Sequence, residues 1–175
     1  GNDKVLREMR RLYTVEQFRE VYYRLRAEVP RIAVTTDIIV GFPGETEREF
    51  EDTLRLVEEL RFDSAYMFAY SRRPGTKAAE REDQVPKEVK RRRLAELIDL
   101  QNSITCEINT SQVGLVFEVL VEGDAEKQTG ACRLLKGLTP QGKTIHFAAQ
   151  AQPGDLVHVR AESAHLWGFL GTLRP

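Results

Sequence analysis

Before Pro30 the apolar residues fall at helical spacing, and from Ile32 to Val40 they merge into a near-continuous run interrupted only by Thr35, Thr36 and Asp37. Such a run reads as an interior strand covered on both faces, as in parallel α/β sheets. Upstream, Asp3 is placed to cap a helix carrying Val5, Leu6 and Met9. Thr14 is placed to cap a second, with Gln17 completing a capping box and Phe18, Val21, Tyr22 and Leu25 on one face. Pro30 ends that helix, because the residue before a proline is pushed out of the α region. After the strand, Gly41-Phe42-Pro43-Gly44 turns the chain. Thr46 and Glu49 form a second capping box, predicting a helix from Thr46 to about Arg61 with Phe50, Leu54 and Val57 as its apolar stripe. Glu47, Glu49 and Glu51 suit the positive end of its dipole. Another strand is predicted over Ser64–Tyr70, and two strands joined by a helix make a parallel βαβ unit. Pro86 opens a long helix with Val89, Leu94, Leu97, Ile98, Ile104 and Ile108 inward.

From about Gln112 the period changes from helical to alternating. Leu115, Phe117, Val119 and Val121 share one face, and similar runs follow at Ala131–Leu135, Thr144–Ala148, Leu156–Ala161 and His165–Leu170. Gly123-Asp124, Pro140-Gln141-Gly142 and Pro153-Gly154-Asp155 separate them. Five short strands in so short a stretch predict a small closed all-β barrel of OB-like kind. The expected domains are 1–111, α/β with a connecting helix, and 112–175, the barrel.

Charge changes this picture little: the formal net charge is −1 over 175 residues, which argues neither for nor against nucleic acid, because a local basic patch is enough to bind phosphate. There is no apolar run of transmembrane length and no signal-peptide pattern at Gly1, so the expected setting is cytoplasmic, with no membrane partner. Cys106 and Cys132 lack ligand spacing and read as small buried apolar residues; His146, His158 and His165 lack it too, so no metal ligands are assigned.

Candidate chemistry gathers where strands end. The Gly41–Gly44 turn is neither a P-loop, having no Lys-Ser/Thr, nor the dinucleotide Gly-x-Gly-x-x-Gly pattern. It is a ligand edge of the kind α/β folds use, or a tight turn without a ligand. In Tyr70–Thr76, Arg72 and Arg73, with Lys77 beyond, can meet phosphate or carboxylate, or lie on a solvated loop. Lys87, Lys90, Arg91, Arg92 and Arg93 oppose the dipole of the long helix, which calls for an acidic or anionic neighbour unless the face is simply solvated. In the barrel Lys127, Arg133, Lys136 and Lys143 can supply phosphate contacts.

Four stretches carry a resemblance: Thr36-Asp-Ile-Ile-Val-Gly-Phe-Pro-Gly-Glu-Thr46, Met9-Arg-Arg-x-Tyr-Thr14, Tyr70-Ser-x-Arg-x-Gly-Thr76, and Gly114 through Val-Leu-Val-Glu-Gly123. They cover nearly the whole chain in the family's order, and the chain resembles the C-terminal part of the MiaB-type radical-SAM methylthiotransferases. The resemblance implies the last part of a partial (β/α) radical-SAM barrel followed by a TRAM domain. It also implies that Val40, Gly41, Phe42, Phe68 and Tyr70 line an S-adenosylmethionine pocket. The parent enzyme would use S-adenosylmethionine and two 4Fe-4S clusters to methylthiolate an isopentenyl-type adenosine beside a tRNA anticodon, its partner being the anticodon stem-loop.

Departures from the family pattern qualify this. The Cys-x-x-x-Cys-x-x-Cys run that holds the radical-SAM cluster is absent, and Gly1 matches a glycine in mid-barrel, so the expectation is a fragment that carries no catalytic residue of its own and binds no cofactor. Leu12 stands where the family has glycine, and Gly137-Leu138-Thr139 where it has Gly-Arg-Thr, which weakens the RNA contact expected there. An exposed barrel edge would favour self-association. The alternatives are a ribosomal-protein methylthiotransferase of the same family and a non-catalytic RNA-binding protein; Gln84-Val-Pro-x-Glu-Val-Lys90 and Thr-Asp-Ile-Ile favour the tRNA branch.

Overall fold

Asn2, rather than Asp3, opens the first helix: in α1 (Asp3–Glu8) the Asn2 side chain accepts from the Lys4 and Val5 N–H groups. Asp3 is displaced from that role because its carboxylate accepts the Val15 N–H at 2.7 Å, at the start of α2 (Val15–Glu28). The Thr14/Gln17 capping box is formed as the spacing predicts. Of the apolar face assigned to α2, Tyr22 is buried and Val21 is exposed. Tyr22 sets the inward direction, since its hydroxyl donates to the buried Leu60 carbonyl and a buried phenol needs such a partner.

The computed structural model describes residues 1–126 and 133–174. By internal contacts the chain divides into two units, Gly1–Ile104 and Thr105–Pro175. In the first, β1 (Thr35–Val40) and β2 (Ser64–Ala69) pair in parallel, in register from Thr35 opposite Ser64 to Val40 opposite Ala69. Between them runs α3 (Glu47–Leu60), which begins with the Thr46/Glu49 box. Its buried residues are Phe50, Thr53, Leu56, Val57 and Leu60, whereas Leu54, placed in the stripe from the sequence, is only half-buried. The expectation of a strand covered on both faces fails. Val40 is fully buried, but Asp37, Ile39, Tyr66 and Phe68, which share the other face, are exposed. Among the described residues the sheet has two strands.

After α4 (Lys77–Glu80), capped by Thr76, comes α5 (Lys87–Ser111). Its fully buried positions are Arg93, Leu97, Gln101, Ile104, Thr105 and Asn109, while Val89, Leu94, Ile98 and Ile108 are half-buried. Polar members of this stripe are satisfied locally: Gln101 donates to the Phe62 carbonyl at 2.8 Å. Cys106, expected to be buried, is exposed, because its position faces away from that stripe.

The second unit closes into the barrel that the alternation predicts. Its strands are β3 (Val116–Asp124), β4 (Leu134–Leu138), β5 (Thr144–Ala148), β6 (Leu156–His165) and β7 (Gly168–Arg174), in the order β3-β4-β5-β7-β6. All pairings are antiparallel except β5 with β7. Phe117, Val119, Val121, Leu135, Ile145, Phe147, Val159, Ala161 and Phe169 form its core. Leu115 precedes β3 and is exposed, and the run read as His165–Leu170 contains the turn joining β6 to β7. Gly168 permits that turn: at φ 147° it brings β7 so close to β5 that a Cβ would lie 1.8 Å from the Thr144 carbonyl oxygen.

Candidate functional site

The C-terminal ends of β1 and β2 lie side by side and are held by the first turns of α5. Gly41, at φ 72°, donates its N–H to the Glu45 carboxylate at 2.6 Å, and Glu45 in turn accepts from Arg93 at 2.8 Å. Both side chains of that ion pair are almost fully buried. Arg93 also donates to the Glu45 carbonyl and Glu47, and its guanidinium lies 5.5 Å from the Phe50 ring centroid. Lys90 donates to the Tyr70 carbonyl at 2.9 Å and packs its stem where a Cβ on Gly41 would fall, 2.2 Å from Cγ. One helix therefore fixes both strand ends. The basic cluster at the start of α5 has acidic neighbours, Glu45 for Arg93 and Glu47 for Arg92 and Arg93. Burial pushes the Glu45 carboxyl above its usual range against the pull of the Gly41 N–H and Arg93, whereas the hydrogen bond from Arg92 draws Glu47 below it.

Over these strand ends opens a groove of about 1040 Å³. Phe42, Phe68 and Tyr70 line it, three of the five residues assigned to the pocket. Val40 is buried behind them and Gly41 shapes the turn, so neither is on the wall. The Phe42 and Tyr70 rings meet edge to face at 5.2 Å, and the Tyr70 hydroxyl is buried without a hydrogen-bond partner among the described residues. Arg10, Arg11, Arg73 and Lys77 also line the groove. Arg72 does not: its guanidinium donates to the Ala79 carbonyl and braces the loop.

In the barrel, Arg133 pairs with Asp124, and Lys136 lies 3.2 Å from Glu122. Lys143 is buried. Lys127 lies outside the described residues, as does Cys132. Burial, then the nearby charges of His165 and Lys136, hold His146 below the ordinary imidazole range. No group of three or more His, Cys, Asp or Glu residues that could hold a metal ion occurs among the described residues. Sequence reasoning missed Glu45 and the groove-facing Arg10 and Arg11; the Met9-Arg-Arg stretch was the only signal for the latter pair.

Residues 1–57 match the family model of the Radical SAM superfamily. Three curated proteins are similar to the chain, each a tRNA-2-methylthio-N(6)-dimethylallyladenosine synthase. The protein of Acetivibrio thermocellus is 45% identical over 174 residues, 99% of this chain and 36% of the relative. That of Carboxydothermus hydrogenoformans is 45% identical over 99% of this chain and 39% of the relative, and that of Acidothermus cellulolyticus 48% identical over 94% and 33%. The chain is similar over nearly its whole length to these relatives and spans about a third of their length.

No helix among the described residues is long and apolar enough to cross a membrane.

Proposed function

We propose that this chain is part of a cytoplasmic tRNA-modifying enzyme that methylthiolates N6-isopentenyladenosine beside the anticodon. In this reading the groove at the ends of β1 and β2 takes the adenosyl part of S-adenosylmethionine, and residues 112–175 form a TRAM domain that contacts tRNA. The groove carries the reading: Phe42, Phe68 and Tyr70 give aromatic walls for an adenine. The names of the relatives favour a tRNA substrate over a ribosomal protein.

Iron-sulfur clusters do not fit the residues present. A cluster takes three or four thiolates, whereas the sequence has two cysteines, of which Cys106 is exposed on α5. The chain alone is accordingly expected to be inactive. β1 pairs only with β2 among the described residues, and its other edge suits association with a further strand.

The test is titration of the chain with S-adenosylhomocysteine followed by NMR. Shifts should map to Phe42, Phe68 and Tyr70 with a Kd no tighter than about millimolar, and Phe68→Ala should weaken binding. Shifts confined to the barrel would overturn the assignment of the groove.

A further inference from the structure

Four cations line the groove, more than the single carboxylate of S-adenosylmethionine requires. Arg10, Arg11, Arg73 and Lys77 all line it, from the end of α1 on one side and the loop after β2 on the other. None of their side chains takes part in an ion pair or side-chain hydrogen bond among the described residues. The acidic residue at the same wall, Glu8, is already engaged by Arg81 at 2.9 Å and leaves the four charges uncompensated. Arg10 adopts a left-handed conformation, φ 58°, that side-chain-bearing residues seldom take. The chain there closes the end of α1, with the Arg10 N–H on the Arg7 carbonyl and the Arg11 N–H on that of Leu6. The turn thereby holds two consecutive guanidinium groups at the groove. Beneath them Phe68 is half exposed on the open face of the sheet.

Unpaired cations around exposed aromatic rings are what single-stranded nucleic acid needs: guanidinium and ammonium groups for successive phosphates, and ring faces for unstacked bases. A duplex would not serve, because its bases are stacked away from the rings. At about 1040 Å³ the groove lies at the top of the roughly 300–1,000 Å³ range of small-molecule pockets, with room for an RNA base beside a small ligand.

We propose that Arg10, Arg11, Arg73 and Lys77 form a phosphate-gripping rim that seats a single-stranded RNA loop over the groove, with a loop base on Phe68. This rests on the reading of the groove as a tRNA-modifying site and deepens it by naming what holds the substrate backbone there.

The experiment measures binding of a fluorescent RNA hairpin with an adenosine-rich loop to the full chain by anisotropy, across a salt series. Four proteins are compared: the unaltered chain, Arg10→Glu/Arg11→Glu, Arg73→Glu/Lys77→Glu, and Arg24→Glu as a control on exposed α2. Each rim pair should weaken binding and lower the magnitude of the slope of log K against log salt by about 1.4 to 1.8, at roughly 0.7–0.9 per phosphate. The control should match the unaltered chain, and circular dichroism should show all four folded. Unchanged RNA affinity in both rim variants, with S-adenosylhomocysteine binding lost instead, would overturn the rim and assign these cations to a small anionic ligand. No RNA binding by the unaltered chain would overturn the tRNA reading itself, and the rim with it.

Discussion

The two units solve the same problem, a sheet with two faces and two edges, in opposite ways. In the barrel every strand has a neighbour on both sides and the inner face is filled by nine buried apolar residues. The β1-β2 pair has one face open, with Tyr66 66% and Phe68 51% exposed, and its strand ends are tied by polar bonds from α5. Closure makes the barrel a body whose stability is spread through its core. The open pair leaves aromatic rings and backbone free for a ligand, and needs buried charges to keep its loops in place.

The comparison can be broken first at the barrel core. Phe147→Ala should cost about 3–5 kcal/mol, the range for a buried phenylalanine, and hydrogen exchange should show protection lost across β3, β4, β5, β6 and β7. Strong protection remaining in β5 would show that the core can collapse around the gap. Next is the buried pair in the first unit. Arg93→Ala leaves the Glu45 carboxylate buried and uncompensated, a change of roughly 3 kcal/mol or more, and adding Glu45→Gln should recover part of it. Urea denaturation measures both, and a double variant no more stable than the single one would mean that Arg93 acts by packing on Phe50. Thr46→Ala removes one half of a capping box and should cost about 1 kcal/mol by thermal denaturation. Tyr66→Ser on the open face should stay within about 0.5 kcal/mol, and a larger loss would mean that the face is covered after all.

The smallest effect is one of pH. His146 titrates below the ordinary 6.5 in the folded barrel, so the unfolded chain takes up its proton first as pH falls. Stability is therefore full above about 6.5 and is lost as pH drops through that value towards the folded pKa. His146→Phe should flatten that part of the profile in denaturation curves taken at successive pH values.

Both capping boxes, the parallel strand pair and the five-strand barrel were legible in the sequence, because each depends on spacing within one element or on alternation along it. What the sequence hid depends on neighbours. The run Ile32–Val40 has the composition of a doubly covered strand, yet coverage is decided by how many strands and helices flank it. Cys106 is small and apolar enough to be buried, yet its helical angle points it outward. Lys143 has the charge of a phosphate contact but the barrel buries it. The α5 cluster announced a need for acidic company without saying that Glu45 and Glu47 would supply it. At the groove, Phe42, Phe68 and Tyr70 were reachable through motif resemblance, while Arg10 and Arg11 join them through a turn that no periodicity marks.

The strand order of the barrel also bears on how it folds. β7, the last of the five to be synthesised, lies between β5 and β6, so until it is present those two have no common neighbour and the cylinder stays open. The β3–β6 pairing, Val116 with Arg160, joins residues far apart in the chain. Topologies dominated by such distant pairings fold in about milliseconds to seconds, far more slowly than helical bundles. On the ribosome, the hairpins β3-β4 and β4-β5 can form early, but the cylinder is completed only after Gly168–Arg174 has emerged. Until then the apolar face of an unfinished barrel is exposed to the cell, which makes this strand the point at which delayed synthesis would most readily lead to aggregation.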